Sequence, residues 1–452
     1  MPGTPGLAGG RRAIAVPTGF PWTPGFAIRQ WSGRYYADLD TTTLKRTTSS
    51  VLYVSPFGSD ANAGTNPILP LAKISTAINK WTNATIYVLG APIGAPPTVY
   101  PVETSWVSGV PFGAEQNIIA VSSFATLAPG RAISSVGMLA GGGTLGAAWS
   151  NVGGSTPSTY SNTLAATPYA VIDAAVLDTN GLPTALTVRA SVALVEANPG
   201  SWYWAAGVLY VRRLGSAAPD GNLRPLKGST INGWLNTALN IYVEGLTFEG
   251  GNARCFYWQS VGTACAMVDC DATHGQGEGL AVSSSTAAVT MSLTFVRCRS
   301  DAMQAGDGFP YTITGAGTTL NVAELACTGN DNGRNAGSNQ GSTGHVAAGT
   351  TVNIVRVGCT YAGNEAQEVA DVGDGAGNGG CSVWNVGCLF DGLVSTSYGY
   401  TGGDATAAWM HGCRLERNAT DLQAADAGVV IKVFETAYRT TAGAGTITRY
   451  IG

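Results

Sequence analysis

The chain has 452 residues and a formal net charge of −4; 12% of its residues are charged, 45% are hydrophobic and 62 are glycine. Low charge with high hydrophobicity excludes a disordered chain, and with no basic stripe neither nucleic acid nor an anionic membrane surface is an expected partner. There is no run of about 18 apolar residues and no charged stretch leading into an apolar one, so neither a membrane span nor a secretory signal is expected. If the protein works outside a cell, it is expected to leave by lysis or by a route not written in this sequence.

Residues 1–48 begin rich in Pro and Gly (MPGTPGLAGG, VPTGFPWTPGF) and continue aromatic and mixed. Such a segment builds no core of its own, so it is read as an arm, serving either as an attachment to a partner or as a cap packed along something larger. At Val51 the text changes to VLYVSPFGSDANAGTNPILPLAKISTAINKW and then ATIYVLG. This predicts a strand over 51–55, a Gly/Asp/Asn turn, a short helix with Leu71, Ile74, Ala77 and Ile78 at helical spacing, and a strand over 86–89. The stretch resembles the opening motif of right-handed parallel β-helix proteins of the pectate-lyase-like superfamily, matching at 53–60, 64–65 and 74–81. The resemblance implies a helix that covers the open end of a solenoid, as an exposed strand edge requires. Residues 49–104 are therefore taken as the opening of the β-helix.

Residues 105–213 fit no regular period and are read as early coils carrying an insertion, with a separate small β domain as the alternative. Within them PGSWYWAAGVLYVRR predicts a hairpin with strands over 202–204 and 208–212 and Gly207 in the turn. It resembles a hairpin common in β-helix glycan-active enzymes and phage tail spikes.

Residues 214–426 are read as the regular solenoid, because one phrase returns throughout: LTFEGG, MVDCDATHG, FVRCRSDA, ELACTGND, RVGCTYAGN, NVGCLFDG and MHGCRLERN. Phe248 is taken to lead a ladder of Cys270, Cys298, Cys327, Cys359, Cys388 and Cys413, in steps of 22, 28, 29, 32, 29 and 25 residues. A period of this size made of short Val/Leu/Thr-rich runs and tight turns is a parallel β-helix restacking every ~4.8 Å. The ladder cysteines are expected to be unpaired core thiols, since nine is an odd number and no secretory signal implies an oxidising compartment. Residues 427–452 alternate apolar and polar like a closing pair of strands. The expected fold is thus all-β: a right-handed single-stranded parallel β-helix with an N-terminal arm and a capping helix.

In such a stack, residues at one offset from the ladder are neighbours. Glu278 lies eight after Cys270, Asp307 nine after Cys298 and Glu368 nine after Cys359, with Ala336 in the same slot between the last two. A row of carboxyls at coil spacing suits cleavage or grip of a polysaccharide, since glycosidases place two carboxyls ~5–9.5 Å apart; the alternative is an acidic residue capping a turn. His345, in SNQGSTGHV, is read in a polar loop where it can act as a general base. His274 and His411 are read as turn or surface residues. Trp258 and Trp384 are among the tryptophans that could offer stacking faces, and Arg297 and Arg299 on one coil, with Arg334 and Arg356 nearby, are the basic residues that a lyase would draw on. The spacing of Asp371, Asp374 and Asn378 is not a calcium loop, and no zinc, dinucleotide or nucleophile-elbow signature occurs, so no metal or cofactor is expected.

The order DGFPY, STGH and NEAQEVADV resembles a recurrent order in phage tail-spike-like β-helix proteins. That resemblance carries catalytic roles to Asp307, His345 and Asp371 and a substrate contact to Tyr311, although Thr312 stands where a histidine is expected. It further implies a homotrimer on a virion, made in the host cytoplasm, joined to other virion proteins through the arm, and binding or depolymerising a bacterial surface polysaccharide. A non-catalytic adhesion or structural protein and a free polysaccharide lyase or hydrolase are the two alternatives.

Overall fold

In a computed structural model the chain is a parallel β-helix. The structure describes residues 11–95, 97–101, 114–135, 149–152, 159–164, 166–179, 181–227, 232–235, 239–259, 262–333, 339–374, 379–392 and 398–450. Each regular coil contributes one strand to each of three long sheets. The coil around Cys298, for example, runs from Thr290–Val296 in sheet A through Arg299–Asp301 in sheet B to Phe309–Ile313 in sheet C. Sheets A, B and C hold 12, 10 and 9 of the described strands. Pairing along the solenoid is parallel and in register, as in Leu320 with Val352 and Val352 with Cys381.

Alternation along the strands divides the side chains between two apolar regions. One fills the lumen, and the cysteine ladder belongs to it: all nine cysteines are buried and unpaired. Sheet B pairs Thr247 with Asp271 and Asp271 with Arg299. Leu246, one residue before Thr247, therefore occupies the ladder slot assigned above to Phe248, which lies two residues further on beside Ala272. The residue before the slot is left-handed in coil after coil: Gly245, Asp269, Arg297, Ala326, Gly358, Gly387, Gly412 and Glu435 all have φ between 48° and 75°. This bend turns the chain from sheet A into sheet B.

The second apolar region is the outer face of sheet A. The N-terminal segment lies on it as a three-stranded antiparallel sheet of Arg12–Ile14, Ala27–Trp31 and Arg34–Asp38. Ile14, Phe20 and Ile28 are buried there against Tyr242, Val355, Val357, Trp384 and Trp409, each contributing roughly 1.5–3 kcal/mol. The described part of the arm is thus packed on its own solenoid. Tyr35 crosses the glycine bends: a Cβ on Gly387 would stand 2.5 Å from it. Gly387 therefore serves both its left-handed φ of 61° and a close approach. Gly387→Ala is expected to cost on the order of 2 kcal/mol or more in urea unfolding, from the left-handed penalty plus the clash. Adding Tyr35→Ala should recover the clash part, and a neutral single variant would refute the account.

The helix Ile74–Lys80 closes the N-terminal end, burying Ile74, Ala77 and Ile78 on Leu52, Val54, Ile86 and Val88. No described helix is long and apolar enough to cross a membrane. Between the early coils and the regular ones, the described residues from 149 to 227 form small sheets of their own. Their core holds Leu164, Val171, Trp202, Leu209, Val211 and Leu223. The hairpin is there, Ser201–Ala205 with Val208–Arg212, turning at Ala206 and Gly207 with φ of 48° and 83°. At the other end Thr441–Gly443 and Thr446–Tyr450 do not pair with each other. Each adds in parallel to the coil beneath it, Thr420–Ala424 and Val430–Phe434, because alternation in this tail follows the lumen of one more coil.

Candidate active site

The inserted unit stands against sheet B and encloses a cleft of about 740 Å³. By alternation the residues one and three places after each ladder slot face outward, giving the rows Thr247, Asp271, Arg299 and Glu249, Thr273, Asp301 at coil spacing. Arg131 joins them from the preceding coil, and Arg224 reaches in from the insertion strand Leu223–Lys227. Arg224 Nη2 lies 2.6 Å from Glu249 Oε2, and Ser135 Oγ donates to Glu249 Oε1 at 2.7 Å. Tyr169 fastens the insertion a second time, donating to the His274 carbonyl at 2.6 Å and accepting from Gly251 N at 3.1 Å. His274 is accordingly a buried turn residue, with φ 57°.

The charges of the cleft are unequal in kind. Asp271 has Arg299 Nη2 at 3.3 Å and Thr247 Oγ1 at 3.5 Å; burial raises its pKa, while Arg299 and Arg131 oppose that rise. Asp301 is 1% exposed. Burial pushes its pKa up to about 8 against the pull of the Asn330 N–H, 2.7 Å from Oδ1, and of Arg299, and with a further push from Asp271. Arg299 touches both acids, its Nε lying 4.0 Å from Asp301 Oδ2. Asp301 and Asp271 are diagonal neighbours, ~7–8 Å apart along the sheet. One carboxyl that keeps its proton at neutral pH beside one flanked by guanidinium groups is an acid and base pair of the kind polysaccharide hydrolysis uses. None of these six charged residues stands in the row expected above, although Arg299 was noted as a basic candidate. The signal was in the repeated phrases, as CDAT, CRSD and LTFE carry the acids one and three places past the slot.

The expected row is divided by the structure. Glu278 and Asp307 are neighbours on sheet C, where Gly279 N donates to Asp307 O at 2.9 Å. Glu278 is ion-paired with Arg254. Asp307 accepts from Gln340 N at 2.7 Å, and burial raises it to about 7. The row then continues through Gln340 and Gln367, which pair with each other. Gln340 rather than Ala336 follows Asp307, because the turn of that coil is longer. Gln367, eight residues after Cys359, takes the slot given to Glu368. Glu368, one place on, is fully buried, accepts from Asn364 Nδ2 at 2.6 Å and is pushed by burial to about 9.

Three further expectations meet the lumen. Asp371 is held bidentately by Arg356, at 2.8 and 2.9 Å, and both are wholly buried. Tyr311 is fully buried beside Phe295, and Trp258 is wedged between Phe256 and Phe295, with ring centroids 4.4 and 5.7 Å away. Alternation points these side chains inward, where no glycan reaches them. Trp384 faces outward but lies under Phe20 of the arm at 6.0 Å. His345 is exposed; it sits in the strand Gln340–Val346 and not in a loop, flanked by Thr312 and Val372. Its coil neighbour is thus the very Thr312 where a histidine was expected. Arg334 lies outside the described residues.

Because three buried carboxyls, Asp301, Asp307 and Glu368, have folded pKa values of about 8, 7 and 9, the folded chain binds protons more tightly than the unfolded one. The stability this confers is complete below the unfolded value of about 4 and is lost as pH rises through about 7 to 9. Calorimetry is expected to give a higher Tm at pH 5 than at pH 9, with Asp301→Asn and Glu368→Gln flattening the difference. A Tm that rises with pH would contradict the burial of these acids.

No protein-family model matches the sequence, and no curated protein matches it. Among solved structures the chain is similar to a glycoside hydrolase at 11% identity, over 89% of this chain and 96% of that one, with a TM-score of 0.47. It is similar to pectate lyase Pel9A at 11% identity, over 88% and 80%, with a TM-score of 0.42. It is also similar to XylC in complex with xylose at 11% identity, over 86% and 70%, with a TM-score of 0.37.

Proposed function

We propose that the chain binds and cleaves a polysaccharide in the cleft between sheet B and the insertion. In this reading Asp301 is the proton donor to the leaving oxygen and Asp271 the ionised carboxylate across from it. Arg299 holds both, while the Arg224–Glu249 pair ties the wall formed by the insertion to sheet B. The observation that carries the reading is Asp301, a carboxyl buried to a pKa of about 8 just beneath the lining of an open cleft, beside Asp271 and Arg299, which line it. Their positions on the sheet are diagonal neighbours, and a separation of the two carboxyls of ~6.5–9.5 Å would leave room for a water and favour inversion of the anomeric centre. Elimination at an acidic sugar is the competing chemistry, favoured by Arg131 and Arg299 lining the same floor.

Product release from a panel of bacterial capsular, O-antigen and plant polysaccharides tests this, comparing the wild type with Asp271→Asn and Asp301→Asn. Saturated reducing ends from the wild type alone support hydrolysis, whereas unsaturated ends point to elimination. Binding without product on every glycan moves the reading to an adhesin. Mounting on a virion as a homotrimer is a further proposal. It predicts three times the chain mass in solution, with contacts on faces other than the outer face of sheet A, which the arm occupies.

A further inference from the structure

Sheet B does not end at the cleft. The outward row through Asp271 and Arg299 continues coil by coil through Thr328, Thr360 and Leu389 to Arg414. The parallel row ends Ala362, Asp391 and Glu416, and a bridge between Arg414 and Ala437 carries the sheet one coil further, bringing Arg439 beside Glu416. At that end a second open cavity of about 500 Å³ is lined by Arg414, Arg417, Arg439 and Arg449 with Glu416 and Tyr438. Four guanidinium groups on one cavity are unusual in a chain with only 24 basic residues and a net charge of −4.

The arginines are held in place and still presented to solvent. Arg414 pairs with Glu416, Arg417 with Asp391, and Arg439 Nε lies 3.4 Å from Asp421 Oδ2, yet the side chains of Arg414, Arg417 and Arg439 remain 67%, 62% and 63% exposed. Arg449 lies over the Tyr438 ring, 5.5 Å from its centroid, and among the described residues no carboxylate is within ion-pair distance of it. Planar forks fixed at one edge and open at the other are suited to carboxylate, sulfate or phosphate oxygens, and Tyr438 adds an apolar face. Between this cluster and the cleft the floor is Thr328, Asn330, Thr360 and Ala362, short side chains over which an extended polymer can lie.

We infer that the arginine cluster is a distal binding site for the anionic groups of a glycan chain whose scissile region occupies the cleft, so that sheet B is one continuous track. This rests on the reading of the cleft as a glycan site. Five coils separate Asp271 from Arg414, a span of ~24 Å. The substrate class is therefore an anionic polysaccharide, and recognition depends on length.

The test is binding by fluorescence anisotropy of polygalacturonate, chondroitin sulfate and neutral dextran, each as oligomers of graded length, to the wild type, to Arg414→Gln with Arg449→Gln, and to Asp301→Asn. Expected is tighter binding of at least one of the two anionic polymers once the extended oligomer exceeds ~24 Å. The double arginine variant should weaken long oligomers by about tenfold or more and leave short ones unchanged. Asp301→Asn should bind long oligomers like the wild type. An unchanged double variant, an equal loss for short and long oligomers, or no binding of either polyanion by the wild type each overturns the inference. The cleft reading fails separately, when no glycan yields product. Both arginines are exposed, and an unaltered Tm of the variant identifies a loss of binding as local.

Discussion

Asp301→Asn is expected to lower turnover by about 10²–10⁴-fold, the range a positioned general acid supplies. The amide is nearly isosteric, and its oxygen can still accept from Asn330 N at the 2.7 Å position now held by Asp301 Oδ1. The fold and glycan affinity should therefore survive while the transferable proton is gone. The wild-type profile carries a second signature. Asp301 must be protonated to act, and burial holds its pKa at about 8, so turnover should fall as pH rises through that value. The acid limb belongs to Asp271, which must lose its proton. In Asp301→Asn the alkaline limb should vanish together with the rate. An alkaline limb that persists unchanged in the variant, or a rate within a few-fold of the wild type, would remove Asp301 from the reaction.

Arg356→Met is expected to destabilise the chain by roughly 3–5 kcal/mol, the usual cost of leaving a buried charge without its partner. Arg356 sits wholly in the lumen with Nε 3.2 Å from Glu324 Oε1 and a two-point contact to Asp371. Ser342 Oγ accepts from its Nη2 at 2.9 Å, Tyr361 OH donates to Glu324 Oε2 at 2.6 Å, and Gly344 N donates to Asp371 Oδ1 at 3.0 Å. The network joins two successive coils across the core. Removing only the cation strands two acids, and burial already raises the pKa of Glu324. The single variant should therefore unfold at a markedly lower urea concentration at pH 8 than at pH 5, where the stranded acids can take up protons. Adding Glu324→Gln and Asp371→Asn should restore most of the loss. If the triple variant is no more stable than the single one, the cost lies in packing and not in charge.

The period of the cysteine phrases was enough to read the solenoid, because a lumen that repeats must repeat its residues. The phase within each coil was harder. Tyr311, Asp371 and Trp258 look like polar or stacking candidates in one dimension, but strand alternation turns them inward, and a sequence does not mark where each corner resets that alternation. A turn that gains or loses one residue moved the expected row from Glu368 to Gln367. Asp271 and Asp301 were legible in principle, one and three places past the slot, since those offsets depend on no turn at all. Arg224 was not, because the insertion that carries it follows no coil period and its place beside Glu249 is set by tertiary contact alone. Arg356 reversed the ordinary expectation that a charge in a strand faces water.

The packing of the arm bears on the order of assembly. Arg12 is bound at 3.0 Å to Glu435, a partner 423 residues away, and Phe20 packs on Trp384 and Trp409, which are translated long after it. A ribosome delivers the arm well before its seat. The coils can wind up behind the capping helix as they appear, each on a neighbour already made. The strap, by contrast, must wait until the late coils have been made, while the outer face of sheet A grows as a bare apolar wall. Winding of the solenoid therefore closes with a segment made long before the surface that receives it.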